Sequence, residues 1–114
     1  MKQEETKPTG QTFDGGVSDE QLTQWKHRHG KVIRIDVVDG EDLHVGYFHR
    51  PGIETLRTVT KIAKTDDINA AETLAKNCWL GGSEAMLKDG VLFNETQQQL
   101  ALMLQSCKGS LKNL

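Results

Sequence analysis

The stretch Lys31-Val32-Ile33-Arg34-Ile35-Asp36-Val37-Val38-Asp39-Gly40-Glu41-Asp42-Leu43-His44-Val45-Gly46-Tyr47-Phe48-His49-Arg50-Pro51 decides the fold class. Ile33, Ile35 and Val37 alternate with Arg34 and Asp36, and a period of two built on β-branched residues is that of a strand with one buried face. Asp39-Gly40-Glu41-Asp42 is turn chemistry. Leu43, Val45 and Tyr47 continue the alternation, so the stretch reads as an antiparallel hairpin. Pro51 lacks a backbone donor and ends it. On this alternation His44 lies opposite Leu43 and Val45, toward solvent.

Upstream of the hairpin, Ser18 stands as a helix cap with Gln21 three residues on, and Val17 and Leu22 occupy the two positions of a hydrophobic staple. The helix that follows carries Leu22 and Trp25 on its apolar side and stops at Gly30. Downstream the period lengthens. Ile53, Leu56, Val59 or Thr60, and Ile62 or Ala63 define a helix running to about Lys64. Thr65-Asp66-Asp67 breaks it and caps a second, with the stripe Ile68, Ala71, Leu74, Ala75 and Cys78, closed by Gly81-Gly82. These two helices are expected to pair antiparallel across a tight loop.

Ser83 to Lys88 reads as one short helical turn, and Val91-Leu92-Phe93 as either a packed loop or a third short strand. Asn94 and Gln97 repeat the cap signature ahead of a final helix with Leu100, Met103, Leu104, Cys107 and Leu111 on one side, ended or frayed at Gly109. Met1 to Gly16 carries Lys, Gln, Glu, Thr, Pro8 and glycines around a single large aromatic, Phe13. It cannot bury enough apolar area to offset the entropy of ordering. The expected organisation is therefore a disordered tail, 1–16, and one α+β domain, 17–114: an N-terminal helix, a hairpin, then a bundle of about three helices.

Composition limits what this domain does. Fourteen Lys plus Arg against sixteen Asp plus Glu leave a net charge of -2 in 114 residues, so no large positive field attracts nucleic-acid phosphates or an anionic membrane. No apolar run approaches the length needed to cross a bilayer. The N-terminal residues are polar where an export signal would be apolar, so a cytoplasmic location is the expectation. In that compartment Cys78 and Cys107 are read as thiols.

The side chains that could carry chemistry each have a plainer reading. His27 and His29 point about 200° apart on a helix and cannot share one ion. Cys78 sits on an apolar stripe, where burial raises the thiol pKa and argues against a nucleophile. Leu80-Gly81-Gly82-Ser83-Glu84 could present backbone donors to an anion, but it lacks the residues of a phosphate loop, and a helix stop followed by a Ser83 cap accounts for it. Lys26, His27, Arg28, His29 and Lys31 complement the negative end of a helix dipole. The carboxylates lack apolar flanks that would tune a catalytic acid. No catalytic, cofactor or metal site is assigned, and the chain is read as not an enzyme.

A two-stranded hairpin is marginal alone and leaves its edges unpaired, so another part of the chain, a second copy or another protein must extend or cover it. This favours binding over catalysis.

From Lys31 to Leu114 the chain resembles small phage and prophage proteins of the tail assembly chaperone group. The likeness lies in the hairpin ending in Tyr47-Phe48-His49-Arg50-Pro51, the helix from Ile53, the Asp66-Asp67 break, the helix carrying Asn77-Cys78-Trp79, and the C-terminal Gly109-Ser110-Leu111-Lys112. The resemblance implies a non-enzymatic role, holding aggregation-prone tail or tape-measure segments during virion assembly. It transfers no site residues. The aromatic residues Tyr47, Phe48 and Trp79, with Leu104 and Leu111 of the last helix, are the expected contacts for a protein partner or for self-association. The alternative is a small nucleic-acid-binding or regulatory module using the Lys26 to Lys31 cluster.

Overall fold

The computed structural model describes residues 12–114. Their elements run β1 (Thr12–Asp14), α1 (Asp19–His29), β2 (Val32–Asp39), β3 (Asp42–His49), α2 (Ile53–Ala63), α3 (Asp67–Cys78), β4 (Trp79–Gly82), α4 (Ala85–Lys88) and α5 (Gly90–Leu104). The fold is α+β, as the hairpin and helix periods indicate. The sheet is mixed and centred on β3. β2 pairs antiparallel along one edge of β3, from Asp39 opposite Asp42 to Val32 opposite His49. The other edge is shared: β1 runs parallel to Asp42–His44, and β4 runs antiparallel beside Gly46–Phe48.

β2 has the one buried face expected of it, and the register sets the apolar residues of β3 on the other side of the sheet. Ile33, Ile35 and Val37 stand opposite Phe48, Gly46 and His44, whereas Tyr47, Val45 and Leu43 stand opposite Arg34, Asp36 and Val38. The two apolar sets therefore face opposite ways, and each has its own core. On one side Ile35, Val37 and Phe48 pack with Leu74, Ala75 and Cys78 of α3, Met86 of α4, and Leu92 and Leu100 of α5. On the other, Leu43, Val45 and Tyr47 pack with Trp25 of α1, flanked by Phe13, Val17, Leu22, Val32 and Leu80. The sheet is thus a middle layer between α1 and the α3–α5 group.

Local signals explain most boundaries. Ser18 accepts from Gln21 N at 3.0 Å, Gly30 ends α1 with φ 81°, and Asp66 accepts from Asn69 N at 3.0 Å to start α3. In the two-residue hairpin loop Gly40 has φ 62°, and no non-glycine residue among those described has a positive φ. A left-handed first position with an ordinary second one is the type II′ pattern, whose twist matches the flanking strands.

Elsewhere the structure departs from the sequence reading. The tail boundary falls earlier than Gly16, because Thr12–Asp14 form β1; residues 1–11 of the expected tail lie outside the described residues. Gly81-Gly82 is a strand, not a helix stop. α3 passes into β4 without a loop, and β4 threads a narrow gap: a Cβ on Gly81 would stand 2.9 Å from the Trp25 ring, and Gly82 has φ 131° where any Cβ would strike the Val45 carbonyl. Val91–Phe93 is neither loop nor strand. Asp89 accepts from Val91 N at 2.9 Å and Leu92 N at 3.1 Å, which starts α5 a turn before Asn94.

Two helical faces differ in part from expectation, with Leu74, Ala75, Cys78 and Leu100 buried as expected. Ala70 replaces Ile68 in the core of α3, and α5 buries Leu92, Thr96 and Leu100. Thr96 is admitted because its hydroxyl donates to the Leu92 carbonyl at 2.8 Å, which leaves no polar group orphaned. α5 ends at Leu104, so Cys107 and Leu111 are not helical.

Candidate functional site

Two places combine unusual side chains with a defined position: a polar cluster beside β3, and a trough on the opposite edge of the sheet. The cluster joins residues far apart in sequence. The Ser83 hydroxyl donates to Asp14 Oδ2 at 2.6 Å, and His44 Nδ1 lies 2.8 Å from Ser83 Oγ. His44 is mostly buried, not solvent-facing as expected, because β1 and β4 both dock beside β3 at this point.

Aspartate, serine and histidine in contact invite comparison with a hydrolase triad, and the geometry argues against it. A hydroxyl has one proton. Ser83 gives it to Asp14, so His44 Nδ1–H is the donor to Ser83 Oγ and is not a base poised to take the serine proton. Ser83 is also only 1% exposed, which leaves a substrate no approach. Its backbone N–H donates to the Val45 carbonyl at 2.9 Å. The glycine-rich turn considered for anion binding is therefore occupied by the sheet, and the cluster is a tie that fastens β1 to β4.

The trough is assembled from four clefts that share walls. The first, about 520 Å³, lies along α2 and is lined by Ile53, Leu56, Arg57, Thr60, Lys61 and Lys64. Leu56 also lines the second, with Pro51, Met103 and Leu104. Arg50 and Met103 continue into the third, between β2 and the C-terminal half of α5, and Asp36 continues into the fourth, beside Val38 and Val91. Its walls expose large apolar side chains: Ile53 is 73% exposed, Leu102 60% and Val91 77%. Contiguous exposed apolar surface of this kind marks interaction sites.

α2 makes the largest contribution because it is peripheral. It packs on α3 and buries none of its residues fully. Thr55, Val59 and Ile62 are half-buried, while Ile53 and Leu56 face outward. The sequence places Ile53 and Leu56 on one helical side with Val59 and Ile62, and such a stripe looks the same whether a partner covers it from within the chain or from outside. Arg57, Lys61 and Lys64 stand in the same cleft, and the Arg57 guanidinium pairs with Glu54 at 2.6 Å.

Of the residues expected to touch a partner, the structure brings one to the trough. Leu104 lines it beside Pro51 and Leu56. Phe48 is fully buried in the larger core and Tyr47 is buried against Trp25, with ring centroids 5.7 Å apart, so neither offers a partner any surface. Truncating Phe48 would cost about 3–5 kcal/mol of stability and report on folding, not on binding. Trp79 is half-buried, edge-on to Phe48 at 5.3 Å, and acts as a core wedge over Gly46. Leu111 is 93% exposed beyond the last helix and is not brought to the site.

The remaining reactive groups lie apart. Cys78 is buried and Cys107 exposed, both as free thiols, and burial pushes the Cys78 thiol up to about 11. Lys26, His27, Arg28 and Lys31 are exposed at the end of α1. His29 stacks on His49 there, with centroids 4.6 Å apart and planes within 6°. Among the described residues no three His, Cys, Asp or Glu side chains converge as a metal site requires, and no helix is long and apolar enough to cross a membrane.

No protein family matches the chain in sequence, and comparison with curated proteins finds no match either. The fold is similar to a solved structure described as uncharacterised protein rbstp2171 from Bacillus stearothermophilus, with a TM-score of 0.53 and 21% identity over 80% of this chain and 99% of that one. At that identity the likeness is one of fold.

Proposed function

We propose that this chain is a non-enzymatic protein-binding or assembly protein that holds an apolar, acidic segment of another protein along α2 and the end of α5. The observation that carries this reading is the position of α2, an amphipathic helix whose apolar residues Ile53 and Leu56 face outward and continue into the cleft with Pro51 and Leu104. A fully exposed aliphatic side chain gains roughly 1.5–3 kcal/mol when covered, and with Ile53 73% and Leu56 42% exposed a partner laid across both would recover about 2–3 kcal/mol. Arg57, Lys61 and Lys64 along the same cleft select acidic over basic segments.

The resemblance to phage tail assembly chaperones supports the same role. A protein that holds tail or tape-measure segments during assembly needs an open apolar surface and no reactive centre. The partner surface is α2 and the end of α5, in place of the aromatic residues of the hairpin.

The reading is tested with synthetic peptides of matched hydrophobicity, one acidic and one basic, titrated against the purified chain by fluorescence anisotropy. The acidic peptide should bind, the basic one should bind at least tenfold more weakly, and Ile53→Asp with Leu56→Asp should abolish the difference. Equal affinity for both peptides, or binding unchanged in that variant, would remove the assignment.

A further inference from the structure

The outer edge of β2 has no partner among the described residues, since β2 pairs with β3 alone. The direction of its backbone groups follows from the sheet. The Val45 carbonyl faces away from β2, because it accepts from Ser83 N on the other side. Asp36, opposite Val45, therefore sits in a non-hydrogen-bonded pair of the hairpin and turns its own N–H and C=O outward. The period of two extends this to Val32, Arg34, Asp36 and Val38.

The edge is accessible as well as unpaired. One cleft against α5 is lined by Ile33, Arg34, Ile35 and Asp36, and the next by Asp36, Val37, Val38 and Asp39. Consecutive strand residues point to opposite faces, so a cleft that touches every residue in turn is bounded by the strand edge itself. A strand of eight residues unpaired along its outer edge is an open template for another strand.

The sequence of that edge is complementary to itself. Read as Val32-Ile33-Arg34-Ile35-Asp36-Val37-Val38, it meets an antiparallel copy of itself centred on Ile35 with Arg34 opposite Asp36, Ile33 opposite Val37, Val32 opposite Val38, and Ile35 opposite Ile35. Every pair is apolar with apolar or cation with anion. Moving the centre by one residue either way breaks this, because it sets Arg34 against Arg34 or Asp36 against Asp36. Backbone parity agrees: the outward groups of Arg34 and Asp36 face one another, as do those of Val32 and Val38, giving about eight hydrogen bonds across the two-fold.

α5 fits the same axis. Val91 lies beside the Val38 end of β2 and Leu102 beside the Ile33 end, and both are exposed. Reversing one strand against the other carries Val91 of one copy toward Leu102 of its partner.

We propose that the β2 edge is a homodimer interface, in which two copies pair antiparallel about Ile35 and form one continuous sheet, with Arg34 of each copy facing Asp36 of the other. This stands independently of the partner segment on α2.

The test is the solution mass of the full chain by light scattering up to millimolar concentration, read against the 12.7 kDa of one chain. Wild type should give twice that mass. Arg34→Asp alone and Asp36→Arg alone should each weaken the dimer about tenfold or more, since attractive cross-strand pairs become repulsive. An equimolar mixture of those two variants should dimerise again, because each then supplies the charge the other lacks, and that recovery cannot come from the Arg34–Asp36 contact within one chain.

Both substitutions lie on exposed strand positions, and far-UV circular dichroism verifies the fold. Leu102→Asp, on the exposed side of α5, provides a second disruption that leaves β2 intact. A monomeric wild type at every concentration would overturn the proposal. So would a dimer indifferent to these variants, or a mixture that stays monomeric. The β2 clefts adjoin the α2 surface through Arg50 and Met103, but peptide binding is read with Ile53→Asp and Leu56→Asp and dimerisation with Arg34→Asp and Asp36→Arg, so either reading can fail without the other.

Discussion

Ser83→Ala tests the tie between β1, β3 and β4, and its size follows from what each partner loses. His44 has a side chain 13% exposed and keeps little access to water, so removal of the oxygen that accepts from Nδ1 costs about 1–2 kcal/mol. Asp14 is 60% exposed and recovers water in place of the serine hydroxyl, which limits its share to less than about 1 kcal/mol. The sum is about 2 kcal/mol, or a fall in melting temperature of about 10 °C for a domain of this size. Urea unfolding followed by circular dichroism measures the loss. A cycle with Asp14→Ala isolates the Asp14 share, since the two changes should be less than additive. A loss below about 0.5 kcal/mol, the size of an ordinary surface substitution, would show that the cluster does not hold β1 to the sheet.

The thiols should separate cleanly: in the native protein at pH 8 a thiol reagent should modify Cys107 and leave Cys78 untouched, with both reacting in denaturant. Rapid native modification of Cys78 would contradict its burial and raised pKa. His29 should titrate below its ordinary 6.5, through partial desolvation and then the charges of His49 and Arg28. The unfolded chain then binds the proton more readily, so stability is full above about pH 6.5 and declines as pH falls through the folded-state value. An NMR titration of the His29 ring reads the midpoint directly, and a midpoint above 6.5 would contradict the stacking.

The sequence carried the local signals well. Ser18, Gly30, Asp66 and the Asp39–Asp42 turn act where their chemistry says they should, because caps and turns are decided within a few residues. What it could not carry was which side of an element finds a neighbour. Alternation in β2 and β3 is satisfied equally by one core or two, and only the pairing of Arg34 with Tyr47 puts the two apolar sets on opposite faces. Gly81-Gly82 resembled a helix stop because the reason for those glycines, the Trp25 ring and the Val45 carbonyl, lies some 35 to 55 residues away. The binding surface was hidden for the same reason. Ile53 and Leu56 carry the period of a core helix, and Phe48 and Tyr47 the chemistry of a contact surface, and the structure exchanges those roles.

The sharing of one β3 edge by β1 and β4 sets an order of events in folding. The β2–β3 hairpin closes through two residues and can form early, whereas the Asp14–Ser83 link spans 69 residues and must await the whole of α2, α3 and β4. β1 can pair with Asp42–His44 as soon as the hairpin exists, but the side-chain link that fastens it there can close only once β4 and Ser83 have been made. The first described strand is thus held by a clasp that the chain supplies some seventy residues later.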